Sequence, residues 1–196
     1  LKIYKINNNG IIAKSRNLGI SKSKGEVIAF LDSDDWWEAM KVEICINEIN
    51  KGYDFIYHDL IIKDFSGKKR FIKKKYISSK KLMPSPIKYL LYKGNPIPLS
   101  STLIRKEKIL DAGKFDEDYD LVGAEDFYLW INIALQKCKF KNLNIPLGYY
   151  TINNDSFTSS AKSIKYFNKI FRNLYDKKLL KSFSIKPWAR LSIAFI

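Results

Sequence analysis

Three carboxylates, Asp32, Asp34 and Asp35, follow directly on the most apolar run of this chain, in "AFLDSDDWW". Like charges this close repel one another unless a cation or solvent offsets them. Asp32 and Asp34, one residue apart on a turn, are near enough to share a divalent ion, and ligation by oxygen alone favours Mg²⁺ or Mn²⁺ over zinc or copper. Such an ion could bridge the phosphates of a nucleotide and stabilise charge on a departing oxygen. A plainer account stays open: Asp34 or Asp35 caps a helix that begins near Trp36.

A second acidic pair, Glu125 and Asp126, opens the apolar stretch "GAEDFYLWINIAL". Carboxylates in a first helical turn are stabilised by the helix dipole and by the free N–H groups there. The same placement lets one of them project from a rigid element into a cleft and take a proton from an attacking hydroxyl. Each pair alone is compatible with chemistry or with capping.

The elements that must position these acids follow from apolar spacing. Residues 11–24 are expected to form a helix with Ile11, Ile12, Leu18 and Ile20 inward, ended by Gly25. Val27 to Leu31 are apolar at five consecutive positions, the pattern of a strand buried on both faces in a parallel sheet. Ligands of open α/β sheets collect beyond the carboxyl ends of such strands, which is where the first acids fall. Further along, a helix is expected from Trp36 to Asn50, a strand in "YDFIYHDLIIKD", a turn at "FSGKK", a short strand at Ser101 to Ile104 and a short helix stopped by Gly113. Phe127, Trp130, Ile131, Ala134, Leu135 and Cys138 recur at helical spacing, so Glu125 to Lys137 reads as an amphipathic helix. The basic stretch with Pro84, Pro86, Pro96 and Pro98 is expected to be irregular or partly helical, with a loop over the binding edge of the sheet.

The formal net charge of +15 is unevenly spread. Lys63 to Lys93 carries eleven Lys or Arg against one Asp, Ala161 to Ile196 carries nine against one, and the rest of the chain is net −3. Two basic segments on a mildly acidic body suit either solvated faces or an anionic surface. Beyond Thr158, Ile164, Phe167, Phe171, Leu174 and Tyr175 form one helical stripe and Lys162, Lys165, Lys169 and Arg172 another. Such a helix either packs on the core with its lysines in water or lies on anionic lipid; the closing "KPWARLSIAFI" keeps the second option open. Two domains are therefore drawn, a core over 1–160 and a basic helical segment over 161–196.

Several classes drop out. No run of eighteen apolar residues occurs. Cys45 and Cys138 stand far apart with no second thiol or histidine cluster beside either, so a zinc site or disulfide framework is not indicated and both read as small buried residues. The single His58, in an apolar strand, reads as structural. No nucleic-acid recognition motif is present.

In order and approximate spacing, "NNNGIIAKSRNLGISKSKGEVIAFLDSDDWW", "SSTLIRKEKILDAGKFDEDY", "GAEDFYLWINIAL" and "IPLGYYTINNDSFT" resemble successive blocks of the family 2 glycosyltransferases, enzymes of the GT-A fold, from about Asn7 to Thr158. The resemblance implies a Rossmann-like, mostly parallel sheet flanked by helices, and an inverting transfer of a sugar from a nucleotide-sugar donor, often a UDP-sugar, to an acceptor hydroxyl. By motif position, Asp32 and Asp34 are the family's Asp-x-Asp, with Asp34 the direct ligand of Mg²⁺ or Mn²⁺ and Asp32 nearer the ribose. Asp126 corresponds to the catalytic base and Glu125 to its neighbour on the acceptor side. Arg16 and Asn17 match the "ARN" block, in which shaping the donor pocket and packing are both open. Trp36 and Trp37 are read as a wall behind the metal turn and Trp130 as core.

Two departures accompany the resemblance. The family's opening strand-helix-strand unit is not in this sequence, and with Leu1 at its start the chain is expected to be a fragment. Where the family often has Tyr-Arg, this chain has Tyr150-Thr151, followed by Asn153, Ser156 and Thr158. The expected function is transfer to a surface polysaccharide or lipid-linked saccharide by a cytoplasmic protein, peripheral on the inner face of the cell membrane. The competing expectation is a catalytically silent fragment whose basic segments bind polyanions.

Overall fold

The structure, a computed structural model, describes residues 2–65, 76–77, 79–82, 85–152 and 160–176. In chain order these form α1 (Ile12–Lys22), β1 (Val27–Ala29), β2 (Trp36–Trp37), α2 (Lys41–Asn50), β3 (Phe55–Asp64), β4 (Tyr76–Ile77), α3 (Pro86–Lys93), β5 (Thr102–Arg105), α4 (Lys106–Asp111), α5 (Glu125–Leu135), β6 (Phe140–Ile152) and α6 (Ser160–Asp176). Short 3₁₀ turns at Leu99–Ser101 and Tyr119–Leu121 precede β5 and α5.

Phe55 to Leu60 are buried without a break, as a strand must be when both of its faces are covered. β3 accordingly lies inside the sheet, whose order is β1-β5-β3-β6-β2 with β4 on the far end of β3. Its alternating side chains sort two cores. Phe55 and Tyr57 join the larger one with Phe115, Leu129 and Trp130, while Ile56 packs with Cys45, Ile49, Leu103 and Leu147 on the α2 side. Aromatic contacts tie the larger core to the sheet: Phe55 meets Trp130 edge-on at 4.8 Å and stacks on Phe140 at 4.5 Å. Truncating a fully buried Trp of this kind costs about 3–5 kcal/mol.

The α/β class and the GT-A architecture hold, but the pairings among the described residues are mixed. β3 and β6 run parallel, whereas β1–β5, β2–β6, β3–β4 and β3–β5 are antiparallel. Val27–Ala29 therefore belongs to a strand paired on one side only among these residues, and Leu31 at its end is exposed. The apolar run reflects cover by helices rather than parallel neighbours. The helix expected from Trp36 starts instead at Lys41, because Trp36 and Trp37 pair with Tyr149 and Gly148 of β6. Within α1, Ala13, Asn17 and Ile20 face the core while Ile12 is exposed. α5 is buried on most of its circumference rather than amphipathic.

No element was assigned from sequence to residues 139–152, yet β6 is the longest strand. Its pairing with β3 slips at two places, between Tyr57 and Asp59 and between Asp59 and Ile61. Asn144 sits there with φ of 53°, a value Asn tolerates better than most residues. The irregularity bends the strand, and its last residues run on to the acid turn. Cys45 and Cys138 are free and buried, and His58 is fully buried with Nδ1 2.7 Å from the Asp59 carbonyl oxygen.

α6 packs on the 3₁₀ turn at Tyr119–Leu121 and on α5. Phe127 meets Phe167 edge-on at 5.5 Å, Ile170 and Leu174 are buried, and Tyr175, expected on the inward stripe, is exposed. Lys165 and Lys169 pair with Asp120 at 2.8 Å and Asp118 at 2.6 Å. The turn expected at "FSGKK", the polar residues Asn153, Ser156 and Thr158, and "KPWARLSIAFI" lie outside the described residues, apart from Phe65.

Candidate active site

The acid turn is held by its own backbone and by two distant segments. The Asp35 N–H donates to the Asp32 carbonyl at 3.1 Å, closing the turn. The Asp32 N–H donates to Ser100 Oγ at 3.0 Å, and the Trp37 indole N–H donates to the Ser100 carbonyl at 2.7 Å. From β6, the Thr151 N–H donates to Asp35 Oδ1 at 2.9 Å and the Thr151 hydroxyl donates to the Asp34 carbonyl. Asp35 is thereby buried as a structural member, and burial, foremost, raises its pKa. Asp34 stays exposed and Asp32 half-buried.

Arg16, from the middle of α1, joins this turn to the second acid pair. Its guanidinium donates to Asp32 Oδ1 at 2.8 Å and to Glu125 Oε1 at 2.5 Å, and lies over the Phe115 ring at 5.4 Å. Burial by itself works against the charge, yet Asp32, Glu125 and Asp126 together push its pKa above the ordinary arginine value. Arg16 thus joins two acidic residues that lie 93 positions apart in sequence, Asp32 and Glu125, through one guanidinium.

At the start of α5, Glu125 turns inward. Its second oxygen accepts the Gly123 N–H at 2.6 Å, a bond that uses the left-handed φ of 94° at Gly123. With Arg16 on one oxygen and Gly123 on the other, Glu125 is buried and fixed at both oxygens. Asp126 is half-buried; its Oδ1 accepts the Phe127 N–H at 2.5 Å and its Oδ2 accepts from Asn95 Nδ2 at 3.2 Å. Burial first, and the Glu125 charge second, push the Asp126 carboxyl up to about 7. A carboxylate poised near neutral pH is suited to proton transfer. Tyr150 adds a phenol beside the same groups, its pKa raised by burial and then by Asp35, Asp34, Asp32 and Asp126.

Asn17 stands apart. Its amide bridges the Phe115 carbonyl at 2.9 Å and Glu117 at 2.8 Å, and its oxygen takes the Phe115 N–H at 3.1 Å. This ties α1 to the segment after α4, a packing role. Ser100, Asn95 and Thr151 were not read as site residues; only Thr151 left a signal, as the replacement for an expected Arg. A groove of about 400 Å³ runs from Arg16 along β1, past Gly19, Ile20, Val27, Ala29 and Leu31.

Among the described residues, no group of three or more His, Cys, Asp or Glu side chains is placed to hold a metal alone. Two carboxylates with oxygen donors fit Mg²⁺ or Mn²⁺ when a diphosphate completes the shell, the way Mg²⁺ is commonly held.

Comparison with known proteins identifies the family and the fold. The chain is 27% identical over 185 residues to the Escherichia coli UDP-Glc:alpha-D-GlcNAc-diphosphoundecaprenol beta-1,3-glucosyltransferase WfaP, covering 93% of this chain and 65% of that protein. It is 29% identical over 152 residues to the E. coli enzyme WfgD, which carries the same description, covering 74% and 55%. The chain thus spans roughly half to two thirds of the length of these relatives. Among solved structures, S. aureus TarS 1-349 matches with a TM-score of 0.54 at 17% identity, over 94% of this chain and 59% of that one, a likeness of fold. Residues 1–111 match the family described as Glycosyl transferase family 2, more than half of the sequence, and the chain belongs to that family.

Proposed function

We propose that this chain carries the metal turn and base of an inverting glycosyltransferase, which moves a sugar from a nucleoside diphosphate donor to a hydroxyl of a lipid-linked saccharide. The observation that carries this reading is the Arg16 bridge, which joins Asp32 to Glu125 at the start of the helix that carries Asp126. The two E. coli relatives are named for a UDP-glucose donor and a diphosphoundecaprenol-linked acceptor, which favours UDP-glucose and a polyprenyl-diphosphate saccharide here.

Asp34 and Asp32 would hold Mg²⁺ or Mn²⁺ together with diphosphate oxygens, and the ion would neutralise charge on the leaving nucleoside diphosphate. Asp126 takes the proton of the acceptor hydroxyl as that oxygen attacks the anomeric carbon, and the bond to the diphosphate breaks on the opposite face. Attack from that side inverts the anomeric centre. Asn95 orients the Asp126 carboxyl through Oδ2, and Arg16 holds Asp32 and Glu125 in place. The acceptor's lipid anchor would bring the protein to a membrane surface, where basic side chains not paired within the fold would meet anionic lipid.

The test is transfer from UDP-glucose to a synthetic GlcNAc-diphospho-lipid with Mn²⁺, comparing the parent chain with Asp34→Ala and Asp126→Asn. The parent is expected to form a β-linked product, and each variant to lose at least 100-fold in rate. An α-linked product, or rates untouched by both substitutions, would overturn the assignment.

A further inference from the structure

The mechanism above leaves one buried cation unused. Lys41, at the start of α2, is fully buried. Its ammonium donates to the Thr102 carbonyl at 3.1 Å and sits 3.8 Å from the centre of the Trp37 ring. No carboxylate pairs with it among the described residues, and burial lowers its pKa to about 8. An ammonium taken out of water with these two partners is costly to the fold, and an apolar side chain of similar length would fill the space at less cost. Its charge is therefore poorly explained by stability.

What the charge does is directional. The two groups it grips belong to the segments that hold the acid turn. Trp37 is also packed closely against β6, where a Cβ added at Gly148 would come within 3.2 Å of Trp37 Cδ1. With Lys41 on its face, the indole is fixed so that its N–H meets the Ser100 carbonyl at 2.7 Å, and Ser100 Oγ in turn receives the Asp32 N–H at 3.0 Å. Thr102, the second group gripped, ends the same 3₁₀ turn that contains Ser100.

We propose that Lys41 is a positioning residue for the metal turn: its ammonium, clamped between the Trp37 ring and the Thr102 carbonyl, fixes Ser100 and through it the Asp32 backbone. This rests on the assignment of Asp32 and Asp34 as metal ligands. Removing an outer-shell partner of a metal ligand typically costs 10–100-fold in metal affinity, and the lower end applies to a relay of this length.

The probe is Mn²⁺ with inorganic diphosphate, binding to the full chain being read by water-proton relaxation, beside urea unfolding. Lys41→Met is expected to unfold at or above the parent's urea midpoint while weakening Mn²⁺ binding about tenfold. Ser100→Ala should weaken it similarly, and the double variant no further, because both cut one relay. Where Lys41→Met does not fold, Trp37→Phe, which keeps the ring and drops the N–H, carries the same expectation. Binding by Lys41→Met and Ser100→Ala within twofold of the parent, with binding lost in Asp34→Ala, would overturn the positioning role and leave the metal site standing. Binding unchanged in Asp34→Ala would remove the metal site and this role with it.

Discussion

Replacing Arg16 by Met removes a cation that touches both acidic sites while nearly preserving the volume of its stem. The side chains of Arg16 and Glu125 are 13% and 7% exposed, and that of Asp32 is 35% exposed. Removing one partner of a buried pair costs about 3–5 kcal/mol, because the remaining charge is left without compensation. The Asp32 contact, half in water, adds at most about 1 kcal/mol. Glu125 keeps the Gly123 N–H and can bind a proton, which limits the damage to the lower end of that range, about 3 kcal/mol at pH 7. Urea unfolding of the parent, Arg16→Met, Glu125→Gln and the double variant gives the cycle. The double variant should recover about 2 kcal/mol relative to Arg16→Met, since a neutral amide needs no counter-charge. A loss below about 1 kcal/mol, or no recovery on adding Glu125→Gln, would refute the claim that Arg16 and Glu125 are coupled.

Three further outcomes are expected. With the Asp126 carboxyl near 7, turnover should climb with pH through that value; because a raised acid pKa stabilises the fold at low pH and loses that contribution between the ordinary 3.8 and about 7, Asp126→Asn should be more stable than the parent at pH 8 by about 1–2 kcal/mol after discounting for solvent contact, as melting at pH 5 and 8 will show. Gly148→Ala places a Cβ 2.9 Å from the Trp36 carbonyl oxygen and 3.1 Å from Leu60, so it should destabilise by about 1–3 kcal/mol through strain; an unchanged urea midpoint would contradict the close approach of β2 to β6. Reversing Lys165 and Lys169 to Glu turns two attractive contacts with Asp120 and Asp118 into repulsions, and amide exchange over Ser160–Asp176 should quicken, as it should for the parent at high salt; unaltered exchange would mean that these pairs do not hold α6.

Local chemistry made much of this protein legible from its sequence. The unbroken apolar run into β3, the periodic spacing of α5 with acids in its first turn, and the acids placed after an apolar strand all depend on neighbours within a few residues, where side-chain spacing sets which face is buried. The family's ordered blocks named Asp32, Asp34, Arg16 and Asp126 for the same reason: each sits in a short motif. Contacts far apart in sequence were decided only by the tertiary structure. Trp36 and Trp37 read as helical until β6 supplied backbone partners that a helix start could not match. Thr151 holds the acid turn only because β6, bent at Asn144, delivers it there. Glu125 turns inward and Lys41 comes to be buried because Arg16, Gly123, Trp37 and Thr102 converge from separate elements. Spacing along the chain carries no trace of that convergence, since a charge finds its partner by distance in space.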